Sequence, residues 1–278
     1  MMKKEDALAL SESALVELGE ALNEGKSEEL TRFLDVMSGF YNYSFGNCML
    51  IAQQFPEATY VAGFRAWLKR GRAVKKGEKG ICILAPLIRK KQDEQVSETT
   101  GDNERELFGY RAVHVFDVSQ TEGDELPEIN HVSGDPGDSL SQLREVVRKR
   151  GIELLYEEEL GGARGLSKGG TICLLSGMTP AEEFAVLAHE VAHEGLHKGE
   201  DRKDTTKVVR ELEAEAVSYV VAKAFRLANA LKHSSDYIQL YSGDREKLQN
   251  SLERIQKTAS SILTELEEVS VPGNVPVA

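Results

Sequence analysis

The sequence predicts an α+β protein built from two domains, and three observations predict it. Helix-period segments open and close the chain, at Met1–Gln54 and Asp244–Val269, with short apolar strands such as Ile81–Ala85 and Thr171–Leu175 between them. A stretch rich in Gly, Pro, Asp and Glu, from Ser119 to Ser139, breaks the pattern, and the linker proper is placed at 126–137. Charge is segregated as well. The chain carries a net charge of −12, yet Val61–Lys91 holds ten basic residues against one acidic residue, Glu78.

These bounds exclude some classes of protein. A length of 278 residues accommodates one large or two modest domains with ample apolar content for a core. The net negative charge opposes indiscriminate polyanion binding, so contact with nucleic acid has to come from a local patch. Cys48, Cys82 and Cys173 are far apart and odd in number, which suits a reducing compartment better than a disulfide framework. There is no basic-then-apolar leader and no apolar run of bilayer length, so the expectation is a soluble, cytoplasmic protein without a membrane partner.

In the first domain, residues 1–125, Leu8, Leu15, Leu18 and Leu22 recur at helical spacing, and Ser27-Glu28-Glu29-Leu30 opens a second helix with a capping signature. Phe40, Tyr41, Tyr43 and Phe45 then crowd into a short segment with Asn42, Ser44 and Asn47. Two of the four rings fit a hydrophobic corner between helices. The polar residues among them leave room for base stacking and phosphate contact. The basic run follows, with Arg65, Lys69, Arg72, Lys75, Lys76 and Lys79 around Phe64 and Trp67. Lys75-Lys76-Gly77-Glu78-Lys79-Gly80 reads as a turn into the strand Ile81–Ala85. Basic residues interleaved with aromatics suit a groove that tracks single-stranded DNA, and a solvated basic loop is the plainer alternative. Lys91–Glu106 reads as a mobile insertion between two strands, of which the second is Tyr110–Val118.

The second domain, 138–270, reads as a helix at Leu140–Arg150, a strand at Ile152–Tyr156 and a strand at Thr171–Leu175. Gly161, Gly162, Gly165, Gly169 and Gly170 match no phosphate-loop spacing and read as hairpin turns. Thr179-Pro180-Ala181-Glu182 is a capping box with Pro at the first helical position, and Phe184, Leu187, Ala188 and Val191 form the apolar stripe of the helix it opens. The tail, 271–278, reads as disordered, and no internal repeats are present.

That helix carries His189-Glu190-Val191-Ala192-His193. Residues four apart share a helix face, so the two imidazoles sit side by side, as two adjacent positions of a tetrahedral Zn²⁺ require. Glu190, beside the first ligand, is placed to take a proton from water activated at the metal. His197 continues the series but lies at the expected helix end. The third ligand is sought in the next helix, Thr206–Leu227, where Glu211 and Glu215 share a face and Glu213 points elsewhere. Glu211 as ligand with Glu215 orienting a histidine ring fits, as does the reverse. Three solvated glutamates are the plainer reading, but Ala214, Ala216, Val217, Tyr219, Val220 and Val221 mark the helix as mostly buried.

Two regions resemble one family. Tyr43–Asn47, Val61–Trp67, Lys76–Ile81 and Val115–Thr121 look like the N-terminal domain of ArdC-type antirestriction proteins. His189–His193 and Arg210–Ala216 look like that family's zincin-type metallopeptidase domain, related to peptidases of the ImmA/IrrE kind. The resemblance implies a helical and β domain that binds single-stranded DNA, followed by a zincin-like domain holding Zn²⁺ or another divalent ion such as Mn²⁺. In the ImmA/IrrE pattern Glu-x-x-Ala-Asn, the third ligand comes first. That implies Glu211 as ligand, with Glu215 standing where the family has Asn.

The expected assignment is therefore His189, His193 and Glu211 as metal ligands, Glu190 as catalytic base and Glu215 behind them. Tyr43, Asn47, Arg65, Trp67, Lys69, Arg72, Lys75, Lys76 and Lys79 are expected at single-stranded DNA. His233, Tyr237 and Tyr241 are downstream candidates for oxyanion stabilisation. Two functions stay open. One is a zinc metallopeptidase acting on DNA-associated or regulatory proteins, with its protein substrate unspecified. The other is a non-catalytic protein that occludes single-stranded DNA during plasmid or phage entry, with a structural metal.

Overall fold

The computed structural model describes residues 2–90, 105–124, 136–196, 205–227 and 244–270. In chain order the first elements are α1 (Lys4–Asn23), α2 (Ser27–Gly39), α3 (Phe45–Gln54), β1 (Val61–Gly63), α4 (Phe64–Lys69) and β2 (Arg72–Val74). Then come β3 (Ile81–Lys90), β4 (Arg105–Asp117), a 3-10 turn (Val118–Gln120), β5 (Thr121–Gly123), α5 (Ser139–Lys149), β6 (Glu153–Glu157), β7 (Gly165–Ser167) and β8 (Thr171–Leu175). Three helices close the series: α6 (Pro180–Leu196), α7 (Lys207–Ala224) and α8 (Arg245–Ser270). The protein is α+β.

Two compact units are present. One comprises Met1–Ala14 with Met49–Leu126, the other Leu15–Cys48 with Pro127–Ala278. Residues 15–48, expected with the first domain, group instead with the second unit, because α2 buries Leu30, Phe33, Leu34 and Met37 and packs on α7.

In the first unit, β1, β4 and β3 form an antiparallel sheet in that order. Ile81 pairs with Val115 and Val61 with Asp117, and the β3–β4 register shifts between Leu87 and Ile88. Cys82 on this sheet joins Ala7 and Leu50 in a buried cluster, with Leu10, Leu84 and Ala112 against it. The two strands run further than the apolar stretches Ile81–Ala85 and Tyr110–Val118 indicate, since ladder pairing continues through Pro86↔Tyr110 to Lys90↔Arg105. Of the insertion expected at Lys91–Glu106, Arg105 and Glu106 belong to β4 instead, because they continue the ladder with β3, and 91–104 lie outside the described residues, as do 126–135 of the linker expected at 126–137 and the 271–278 tail.

A latch at the end of β4 gives the Lys75–Gly80 turn its shape. Asp117, 1% exposed, accepts from the amides of Thr59, Tyr60 and Ser119 at 2.7, 3.0 and 2.9 Å. Its own amide donates to Gln120 Oε1 at 2.9 Å, completing a capping box. Gln120 Nε2 in turn donates to Glu78 Oε2 and to the Lys79 carbonyl, each at 2.9 Å. The lone acid of the basic run is therefore a strut. Gly77 has a φ of +93°, and a Cβ on Gly80 would lie 2.9 Å from His114 Cβ and 3.0 Å from Phe116 Cζ. The first needs glycine for its conformation, the second for close approach.

Burial alone would raise the pKa of Asp117, but the hydrogen bonds from Ser119, Tyr60 and Thr59 outweigh it and hold the carboxyl below its ordinary value. A depressed folded-state pKa gives stability that is present above the unfolded value and is lost as pH falls through the folded one. Asp117→Ala leaves three backbone donors without their acceptor. It is expected to lower unfolding stability by roughly 2–4 kcal/mol at neutral pH. The check is urea denaturation across pH. A variant as stable as wild type at pH 7 would show that the latch contributes nothing, and the gap between the two should narrow in acid.

In the second unit, β6 pairs parallel with β8 and β7 pairs antiparallel with β8, giving the order β6-β8-β7. α6 packs on β7 and β8, on α5 and above all on α7, which also contacts α8. The stripe Leu143, Val146 and Val147 on α5 and the series Leu248, Leu252, Ile255, Ala259, Ile262 and Leu266 on α8 are fully or nearly fully buried. α7 is apolar on almost every side from Leu212 to Ala222, as a helix enclosed by neighbours requires. Glu213, 0% exposed in its middle, accepts from Ser251 Oγ at 2.5 Å and from Arg254.

Candidate metal centre and nucleic-acid interface

α6 starts where the sequence places it. Thr179 Oγ1 accepts from the Glu182 amide at 3.3 Å, and Glu182 Oε2 accepts from the Thr179 amide at 3.1 Å. Three turns on, His189 and His193 stand side by side, ring centroids 4.7 Å apart and planes at 79°. Their Nε2 atoms are 3.0 Å apart. Glu211 Oε2 comes across from α7 to 3.5 Å from His189 Nε2 and 3.6 Å from His193 Nε2. α7 holds this register through its Thr206 cap, whose hydroxyl accepts from the Val209 amide at 3.2 Å.

This set fits a divalent ion. In a tetrahedral site with metal–ligand bonds of about 2.0–2.1 Å, ligand atoms lie roughly 3.3–3.4 Å from one another. The three observed separations bracket that value. Two imidazoles and one carboxylate also leave a fourth position open. The His189 and His193 imidazoles beside it hold the Glu211 carboxyl well below the usual range, so it presents an anionic oxygen. Among the described residues, this is the group of His, Cys, Asp and Glu side chains arranged to hold a metal. Glu215 lies one turn further along α7 and is half-buried, while Glu213 turns away into the α8 contact. His197, His233, Tyr237 and Tyr241 fall outside the described residues.

Glu190 is 6% exposed. Burial pushes its pKa up, opposed by the charges of the two histidines and by a backbone hydrogen bond at Ser167. Gly165 explains that contact. It was expected in a hairpin turn but sits in β7, where a Cβ would lie 2.6 Å from Glu190 Oε1 and 2.7 Å from Val186 Cγ1. The glycine is what lets an edge strand run against the Glu190 face of α6. Gly161, Gly162, Gly169 and Gly170 do take positive φ in turns.

Glu194, next to His193, is a residue the sequence reading missed. At 2% exposed, it accepts from Ser167 Oγ at 2.5 Å and from the amides of Gly169 and Gly170 at 2.9 Å each. The Gly-Gly turn, with both φ values positive, has the two-residue hairpin conformation in which these amides can point together. A buried carboxylate that accepts three donors thus fixes the β7–β8 hairpin to the helix that carries His189 and His193. The signal in the sequence was an acidic residue on the apolar face of a helix.

The residues expected at DNA are spread over both units. Tyr43 and Asn47 belong to the second. Tyr43 is half-buried with its ring edge-on to Phe40, its carbonyl accepts from Gln256 Nε2 at 2.6 Å, and Asn47 is 8% exposed. The hydrophobic-corner reading describes this segment. In the first unit, Arg65, Lys69, Lys75, Lys76 and Lys79 are exposed. Arg72 is half-buried, its Nε donating to Thr121 Oγ1 at 2.8 Å and its Nη2 to the Thr121 carbonyl at 3.2 Å, so it braces β2 against β5. Trp67, expected on a stacking surface, is 0% exposed, and its Nε1 donates to the Phe116 carbonyl at 2.9 Å. It is a core residue. Truncation at a site like this typically costs about 3–5 kcal/mol, so loss of function there reports on folding first.

Fold and site together define an α+β protein with a candidate divalent-metal centre between two helices. Residues 17–116 match the family described as the N-terminal domain of anti-restriction factor ArdC. Across 309 aligned residues the chain is 25% identical to the uncharacterized protein pXO2-81 of Bacillus anthracis, covering 95% of this chain and 52% of that one. The chain thus spans about half the length of that curated relative. The metal-free crystal structure of antirestriction protein ArdC from plasmid R388 superposes with a TM-score of 0.50 at 21% identity, over 81% of this chain and 86% of that one. The Mn(II)-bound crystal structure of the R388 protein gives a TM-score of 0.46 at 18% identity, over 84% and 97%. The fold is ArdC-like. No helix among the described residues is long and apolar enough to cross a membrane.

Proposed function

We propose that the chain is a cytoplasmic antirestriction protein of the ArdC kind, with a single-stranded-DNA-binding surface on its first unit and a zincin-like metallopeptidase centre in its second. The observation that carries this reading is the meeting of His189, His193 and Glu211 beside a buried Glu190. Zn²⁺ or Mn²⁺ held by those three residues would supply a Lewis acid that polarises a carbonyl and acidifies water. Glu190 is the proton carrier. Its carboxylate takes the proton of the attacking water and passes it to the nitrogen of the departing amine, and burial, which pushes its pKa up, makes it the stronger base for the first of these acts. Glu194 keeps β7 beside Glu190, with Gly165 leaving the space that the carboxylate occupies.

The DNA reading is supported by the exposed cations Arg65, Lys69, Lys75, Lys76 and Lys79 on the first unit of a chain whose net charge is −12. Lys75→Ala, Lys76→Ala and Lys79→Ala combined should weaken single strands of any sequence about equally. The slope of log K against log salt should become shallower by about 2, as three phosphate contacts are lost. Fluorescence anisotropy with labelled single strands and duplexes checks this. Undiminished binding in the triple variant, or equal affinity for duplex and single strand, would remove the case for a single-strand surface here.

A further inference from the structure

We propose that Phe64, supported from beneath by Phe116, is a stacking subsite for an unpaired nucleobase. The proposal rests on the reading of this unit as a single-strand binder and names the ring that takes the base. With Trp67 buried, Phe64 is the aromatic residue of the 61–79 stretch left open to solvent, at 50% exposure. Its centroid is 6.5 Å from that of Phe116, with the planes at 69°, so the edge of one ring meets the face of the other. The Phe116 ring in turn lies against Gly80, where a Cβ would come 3.0 Å from its Cζ, and Lys79 is the next residue back along the chain. The open ring is thereby held by the same basic turn that Gln120 anchors through Glu78 and Lys79. Leu68, 52% exposed, lies one turn on along the same face of α4, and the exposed Arg65 and Lys69 lie on the adjoining side of that helix.

An apolar protein partner seated on this ring would desolvate the surrounding cations without pairing them. A single strand satisfies both parts of the patch, with phosphates on the lysines and arginine and a base face on the ring. A duplex keeps its base faces stacked inside, so the subsite also supplies a reason for discrimination between the two forms. Because every base presents a π-face, the subsite is indifferent to sequence.

The test uses the full chain and two labelled 12-mers with equal numbers of phosphates, oligo(dT) and a wholly abasic strand. Wild type is expected to prefer oligo(dT). Phe64→Ala and Phe64→Leu should bind oligo(dT) on the order of 5- to 100-fold more weakly and lose the preference over the abasic strand, with the salt slope unchanged. Phe64→Trp should retain the preference, and a strand carrying 5-iodouracil should photocross-link to Phe64. Phe64→Leu keeps an apolar side chain at an exposed position, so its thermal melt should match wild type and its effect should report on the ring face. Base preference that survives Phe64→Leu, or cross-linking that maps elsewhere, overturns the subsite and leaves the single-strand reading standing. A wild type that does not bind oligo(dT) overturns both.

Discussion

Glu190→Gln is expected to retain the metal and the fold while peptide cleavage falls by a factor on the order of 10²–10⁴, the usual contribution of a positioned general base. The amide is nearly the same size and still fits against Gly165, but it cannot accept the proton. Two measurements are needed side by side. Cleavage of a DNA-bound protein, or self-cleavage, reports the chemistry. Protection of incoming unmodified plasmid DNA in restricting cells reports the biology. Loss of both supports a peptidase whose action is the antirestriction function. Unchanged cleavage would show that Glu190 is not the base. Lost cleavage with full protection would favour the occluding protein with a structural metal.

His193→Ala should release the metal. Two donors remain, and removal of a direct ligand is expected to weaken binding by more than the 10- to 100-fold that loss of an outer partner usually costs. Glu211→Ala should do the same with little effect on stability, since its side chain is 51% exposed. Glu213→Ala should behave in the opposite way. It deprives Ser251 and Arg254 of their buried acceptor, lowering stability while metal content is kept. Elemental analysis and thermal melts of the three variants separate the roles. Full metal content in His193→Ala would show that the ion, if bound, sits elsewhere.

What the sequence makes legible follows from how local each cause is. The capping box at Thr179, the strand Thr171–Leu175 and the helix ending at Ser270 depend on neighbours a few residues away, and these elements lie where pattern places them. His189, His193 and Glu211 were within reach because each pair-wise relation is helical spacing plus one packing contact. Trp67 was not. Nothing nearby in the sequence says which of Phe64 and Trp67 faces the core, and the answer depends on β4 supplying the Phe116 carbonyl. Glu194 and Gly165 were illegible for the same reason, since their roles exist only once a hairpin has folded back onto α6. Tyr43 and Asn47 read as DNA contacts because polar residues interleave with the rings there, whereas Gln256 on α8 supplies the Tyr43 carbonyl with its donor and Asn47 is buried.

The division of the chain within α1 and α3 bears on how such a protein can be inherited. Because Leu15–Cys48 belongs with Pro127–Ala278, a recombination event at the 126–137 stretch does not exchange one whole unit for another. It hands on the segment with the candidate metal centre but without α2, the helix whose Leu30, Phe33, Leu34 and Met37 are buried and which packs on α7. A partner segment from another lineage would have to bring a matching helix with it. Lineages are therefore expected to carry the two units as one gene, and exchange by single crossovers between them is disfavoured by the packing of α2 alone.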